Sequence, residues 1–208
     1  MRTLLEFHRS PNSVKVRVAL GYKGLEYEIR EMMAADRGPM IEAAGWPLVP
    51  ILLDGEVVMR DSAAILHYLE SNYRDRPSLT PTSRDDLRSA EALLGRLNPE
   101  VLRIQWSVED EMRKPEPALD RIAAQRASLI GALERLDARL AAAPWLVGGA
   151  MSMYDVILAC NLLPSRPPAK FVEQSPLWRF CADHLALDGD RPAVEAWIDR
   201  VLAHDTKL

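Results

Sequence analysis

The chain has 208 residues, 48% hydrophobic and 27% charged, a composition that excludes a disordered chain and a disulfide-stapled miniprotein. Its 26 Lys and Arg against 30 Asp and Glu leave a formal net charge of −4, whereas a duplex-binding surface carries a basic balance, so no nucleic-acid partner is expected. Cys160 and Cys181 have neither redox-pair nor zinc spacing, no apolar run approaches the roughly 18 residues of a membrane span, and Met1–His8 does not read as a secretory signal, so a cytoplasmic protein without metal or membrane partner is expected.

Thr3–Phe7 reads as a short apolar strand. Ser10-Pro11-Asn12-Ser13 follows with turn and cap chemistry, in which Ser10 or Asn12 can accept the unpaired N–H groups of a helix. Val14, Val16, Val18 and Leu20 make the local signal ambiguous. The spacing of Val14, Arg17, Val18 and Gly21 predicts a helix over 13–23, stopped at Gly24. Tyr27–Glu31 reads as a second strand, which completes a strand–helix–strand unit of parallel type. A loop or short helix should follow. Val49–Leu53 and Val57–Met59 flank Asp54-Gly55 as a predicted hairpin, with Pro50 at a strand start, where its missing donor is tolerable. Asp61-Ser62 then opens a helix through Ala64, Ile65, Tyr68 and Leu69.

The proline-bearing stretch 74–83 reads as a linker, and beyond it only helices are predicted. Leu87, Ala90, Leu94, Leu97, Val101, Ile104 and Val108 recur at helical spacing, with Pro99 expected to kink or interrupt the run. Further helices are predicted over Ile122–Leu140, Met151–Leu163, Pro176–Leu187 and Pro192–Ala203. Ser152-Met153-Tyr154-Asp155 is a variant of the capping box. The four histidines are scattered without ligand spacing.

Three of these patterns resemble the cytosolic glutathione transferase superfamily. Ser10-Pro11-Asn12, followed by Lys15-Val16-Arg17, is similar to the active-site segment of its Ser and Thr/Asn branches, zeta-like and nu-like. Val49-Pro50 is similar to the family's cis-proline turn, and Asp61-Ser62 to the turn that holds the γ-glutamyl end of glutathione. The resemblance implies an α/β plus all-α fold. A thioredoxin-like glutathione-binding domain over 1–75 would precede an all-helical, second-substrate glutathione transferase C-terminal domain over 84–208. It implies a homodimeric enzyme that binds glutathione as co-substrate and acts on a small hydrophobic electrophile by conjugation, isomerisation of a maleyl compound, or disulfide reduction.

Glutathione must react as its thiolate, and a hydroxyl or amide donor at a helix N-terminus favours that anion. By resemblance Ser10 is the catalytic donor and Asn12 the second. Val49 and Pro50 would present a backbone edge to the cysteinyl unit, Ser62 would bind the γ-glutamyl carboxylate, and Asp61 its ammonium. Arg103 and Trp106 fall in the helix that lines the second-substrate pocket of the family, and Arg37 is a candidate for the glycyl end. The residues alone leave a plain alternative open: Ser10, Asn12 and Asp61-Ser62 cap helices, and Pro50 is a trans proline. A second alternative is a non-catalytic interaction protein on the same fold. Trp46-Pro47-Leu48, standing where the family usually has a polar residue, favours that alternative. No cysteine lies in 1–73, so mixed-disulfide chemistry on a protein thiol is not expected there.

Overall fold

A computed structural model describes residues 1–208, which divide into two compact units. The first comprises residues 1–80, 151–160 and 201–208, and the second residues 81–150 and 161–200. Thus a helix from the second half of the sequence and the last eight residues belong to the N-terminal unit.

In the first unit, β1 (Arg2–Glu6), β2 (Glu28–Glu31), β3 (Ile51–Asp54) and β4 (Val57–Arg60) form one sheet in the order β2-β1-β3-β4. β1 runs parallel to β2 and antiparallel to β3, which is antiparallel to β4. The two inner strands are covered on both faces, so Leu4, Leu5, Ile51 and Leu52 are all fully buried. That double burial explains why these strands read as continuous apolar runs rather than as an alternation.

Helix α1 (Pro11–Tyr22) connects β1 to β2, and every residue from Ser13 to Leu20 is buried. A helix buried all round has no polar stripe. This accounts for the ambiguous valine pattern, because the periodicity that marks an amphipathic helix is absent. The C-terminal tail lies against its far end: a Cβ at Gly21 would stand 1.8 Å from the His204 carbonyl oxygen. The segment after β2 contains α2 (Gly38–Ala44), the short helix left open above, closed by Gly45 at φ 62°. α3 (Ser62–Asn72) follows β4 and packs beside α1. The unit also takes in α6 (Met153–Asn161) up to Cys160. Its start carries the predicted cap, with Asp155 Oδ2 accepting from the Ser152 N–H at 2.9 Å and from its hydroxyl at 2.6 Å.

The second unit is helical. α4 (Arg84–Met112) packs against α5 (Leu119–Ala142), and α8 (Pro176–Leu185) packs against both. Leu97, Val101, Ile104 and Val108 of α4 and Leu129, Leu133, Leu136 and Leu140 of α5 are buried, as their spacing predicts. Ser83 caps α4 by accepting from the Asp86 N–H at 3.0 Å.

Pro99 does not interrupt α4. Its ring leaves the Gly95 carbonyl without an intrahelical partner, and both residues are exposed, so water can take that carbonyl. The predicted helix over 151–163 ends at Asn161 and gives way to a 3₁₀ turn over Leu163–Ser165. α7 (Ala169–Gln174) was not anticipated, being only six residues between prolines and Ser175. α9 (Pro192–Leu202) closes the chain before its tail.

Candidate active site

Strand register assembles one end of the first unit. Leu5 pairs with Ile51, and Ile51 with Arg60. The residues that follow Leu5, precede Ile51 and follow Arg60 therefore leave the sheet at the same end. These are the 7–10 loop, the Val49–Pro50 turn, and Asp61-Ser62. β2 runs in the direction of β1, so the segment after Glu31 leaves there too, and Arg37 lies with its guanidinium 5.0 Å from the centre of the Phe7 ring.

Ser10 stands at the N-cap of α1 with extended backbone, and Pro11 opens the helix. The backbone of Ser10 is fully used: its N–H donates to the Phe7 carbonyl at 2.9 Å and its carbonyl accepts from Val14 at 3.0 Å. Its side chain makes no cap bond. The hydroxyl is thus not consumed by the helix it precedes, and the plain capping alternative does not describe it. Asn12 lies one position into the helix beyond Pro11 and is exposed. Its Oδ1 accepts from Lys15 Nζ at 2.7 Å and stands 3.5 Å from Ser62 Oγ, the outer limit of a hydrogen bond.

At α3 the arrangement is the reverse. Asp61 is a working cap, its Oδ1 accepting from the Ala63 and Ala64 N–H groups at 3.0 Å each. It holds φ at 72°, a region that costs a non-glycine residue about 1–3 kcal/mol. Ser62, the first helical residue, is 8% exposed. The Val49–Pro50 peptide bond is cis. Val49 packs against the cluster of Leu5, Met32, Met40 and Ile51.

Register and the Asn12–Ser62 contact thus bring Ser10, Asn12, Val49, Pro50, Asp61 and Ser62 to one end of the sheet. Arg103 and Trp106 belong to the second unit. There Arg103 bonds Gln125 and Glu100, each at 3.3 Å, and Trp106 is 61% exposed. Arg37 donates to the Pro47 carbonyl at 3.0 Å, and Arg60 lies over the Trp46 ring at 5.2 Å, so two arginines hold the 46–48 stretch.

Two charged groups beneath this end were not assigned from sequence. Arg17 is fully buried and pairs with Glu6 at 2.6 Å and with Asp205 of the tail at 2.8 Å. Its Nη1 also donates to the His8 carbonyl at 2.9 Å, inside the loop that delivers Ser10. The Glu6–Arg17 pairing carries no local signal, because its partners lie 11 and 188 positions away. Lys15 is buried, and burial lowers its pKa against the opposing pull of Cys160 and Asp61. Its three-residue spacing from Asn12 was the available signal. Burial pushes the Cys160 thiol up to about 12, so it stays protonated near neutral pH.

A four-stranded mixed sheet whose helices start at a Ser cap and an Asp-Ser turn, joined to a helical unit, defines a glutathione-transferase-type architecture. The glutathione S-transferase N-terminal domain family matches residues 4–77 and the glutathione S-transferase C-terminal domain family matches residues 119–200; the chain belongs to the glutathione S-transferase superfamily. A zeta-class glutathione S-transferase of Euphorbia esula is 42% identical over 82 residues, covering 36% of this chain and 36% of that protein. A probable maleylacetoacetate isomerase of Vibrio cholerae is 32% identical over 96 residues, covering 43% of this chain and 44% of that protein. These matches span less than half the length of the curated relatives. Among solved structures, a glutathione S-transferase of Methylobacillus flagellatus with glutathione bound shares the fold. Its TM-score is 0.72 over 100% of both chains, at 20% identity.

Proposed function

We propose that the chain is a glutathione transferase that holds glutathione as its thiolate at the α1 N-terminus and delivers it to a small hydrophobic electrophile. The observation that carries this reading is the Ser10 hydroxyl, which stands at a helix N-cap without capping the helix. In this reading that hydroxyl donates to the sulfur, and the α1 dipole adds to the preference for the anion. Asn12 supplies a second donor. Val49, before the cis Pro50, offers its backbone to the cysteinyl unit in the manner of an added strand. Ser62 and the first N–H groups of α3 bind the γ-glutamyl carboxylate, and Asp61, whose cap bonds both fall on Oδ1, turns its other oxygen to the ammonium. Arg37 serves the glycyl end, and Arg103 and Trp106 serve the second substrate.

The reaction is conjugation, isomerisation of a maleyl compound, or disulfide reduction by glutathione. The names of the relatives, zeta-class transferase and probable maleylacetoacetate isomerase, put isomerisation first. The working form is a cytoplasmic homodimer. The test is ultraviolet titration of protein-bound glutathione beside turnover assays with a halogenated arene, a maleyl compound and a glutathione disulfide. A lowered thiol midpoint with turnover of one substrate supports the reading. Absence of binding removes it.

A second reading is a non-catalytic interaction protein. It is favoured by Trp46 and Leu48, which are 40% and 51% exposed on the stretch before Val49. Glutathione binding without thiolate formation or turnover selects it.

A further inference from the structure

Resting on the glutathione reading above, we propose that Lys15 is a positioning residue that fixes the amide of Asn12 with its nitrogen toward the thiolate. An asparagine amide can present either end, and only one end donates. An ammonium has three donors and no acceptor. The Asn12 atom 2.7 Å from Lys15 Nζ is therefore the carbonyl oxygen, and the Ser62 hydroxyl approaches that same oxygen at 3.5 Å. With Oδ1 occupied from within the protein, the NH2 group is the end left for the exposed side, where Asn12 meets solvent. Were the amide reversed, its nitrogen would face an ammonium, and a carbonyl oxygen would face the anionic sulfur. Both contacts are repulsive.

The placement of Lys15 suits this role. The residue is only 6% exposed, so its stem cannot swing into solvent as surface lysines do. It lies one helical turn from Asn12, the spacing at which side chains on a helix meet. Asp61 and Cys160 are the other titratable groups within its electrostatic reach. The buried thiol stays protonated, which leaves Asp61, the cap of α3, as the nearby counter-charge. Lys15 thereby couples the donor on α1 to the turn that opens α3.

The experiment is a double-mutant cycle read by ultraviolet titration of bound glutathione, using the full chain. Lys15→Met should raise the thiol midpoint by about one pH unit, the size of one charge-assisted donor. Asn12→Ala should raise it similarly, and the double variant should match Asn12→Ala alone, because residues acting as one unit are not additive. Lys15→Arg, which keeps a cationic donor, should restore most of the wild-type midpoint. A Lys15→Met shift that persists in the Asn12→Ala background means that Lys15 acts by its own charge and overturns the proposal. A lowered wild-type midpoint that Lys15→Met leaves unmoved overturns it too, while the glutathione reading stands. A wild-type midpoint equal to that of free glutathione removes the glutathione reading and this proposal together. If Lys15→Met does not fold, a crystal structure of the wild-type glutathione complex decides. Asn12 Nδ2 on the sulfur with Oδ1 on Lys15 supports the proposal, and Lys15 turned to any other group overturns it.

Discussion

The N-termini of α1 and α3 lie side by side and start from the same chemistry, a small polar residue ahead of an apolar helix, yet they are held in opposite ways. Asp61 spends one carboxylate oxygen on two N–H groups of α3 and accepts a strained φ to do so. Ser10 makes no side-chain bond to α1. α1 is instead anchored from below, through Arg17 to Glu6, Asp205 and the His8 carbonyl. A helix fixed by a buried ion network does not need its cap hydroxyl for stability, and that hydroxyl is free for a ligand. The far ends of the two helices are tied to each other, with Lys23 Nζ 2.8 Å from Glu70 of α3.

If that division is right, Arg17→Met should cost the most. It strands Glu6 and Asp205 without their cation, and removing one partner of a buried ion pair costs about 3–5 kcal/mol. Chemical denaturation should show a large loss of stability, and a loss below about 1 kcal/mol would return the anchoring role to the α1 cap.

At α3 the cap and the proposed ligand contact share one residue, so Asp61→Ala should lower both. Loss of the cap costs about 0.5–2 kcal/mol, and loss of a charge-assisted bond weakens glutathione binding by roughly tenfold or more. Asp61→Asn separates them. Asparagine keeps a cap acceptor and tolerates positive φ, so calorimetry should show weakened binding with nearly native melting. Equal losses in both variants would mean that the carboxylate charge serves neither purpose, only the backbone shape.

Ser10→Ala should be smaller in stability and specific in chemistry. With no cap bond to lose, melting should change by less than about 0.5 kcal/mol. The bound thiol midpoint should nonetheless rise and kcat fall, with glutathione affinity nearly unchanged. A substantial stability loss with an unmoved midpoint would restore the capping role that the structure takes from this serine.

The smallest effect concerns the shared far end. Burial pushes the Glu70 carboxyl up, but bonds from the Leu79 N–H, Lys23 and Ser78 outweigh it, and its pKa lies below the ordinary 4.5. A lowered folded pKa means that the unfolded chain binds the proton more readily. Its stabilisation is therefore complete above about pH 4.5 and is lost as pH falls through the folded value. Glu70→Gln should flatten the acid limb of the stability profile by that contribution and leave the alkaline limb alone. An unchanged acid limb would show that the Lys23–Glu70 tie carries no net stability.

The sequence by itself determined the order of elements, the helical nature of everything beyond the linker, and the six residues proposed to meet glutathione. Those signals are local: Asp54-Gly55 turns a hairpin, Ser152 and Asp155 cap a helix within four residues, and α4 and α5 keep an apolar stripe that spacing reveals. Resemblance added the cis turn at Val49–Pro50, which composition and spacing could not specify. Tertiary structure alone decided three other matters. It assigned 151–160 and the tail 201–208 to the N-terminal unit, because the contacts that hold them, such as Arg17 to Asp205, join residues 188 positions apart. It settled that Asp61 caps and Ser10 does not, although both are ordinary N-cap residues, since the choice depends on whether a helix is already held from elsewhere. It also turned Lys15, one more charge in the sequence, into a buried partner of Asn12. Local pattern states what each side chain can do, whereas the competing partners that select among those roles come from parts of the chain brought together only by folding.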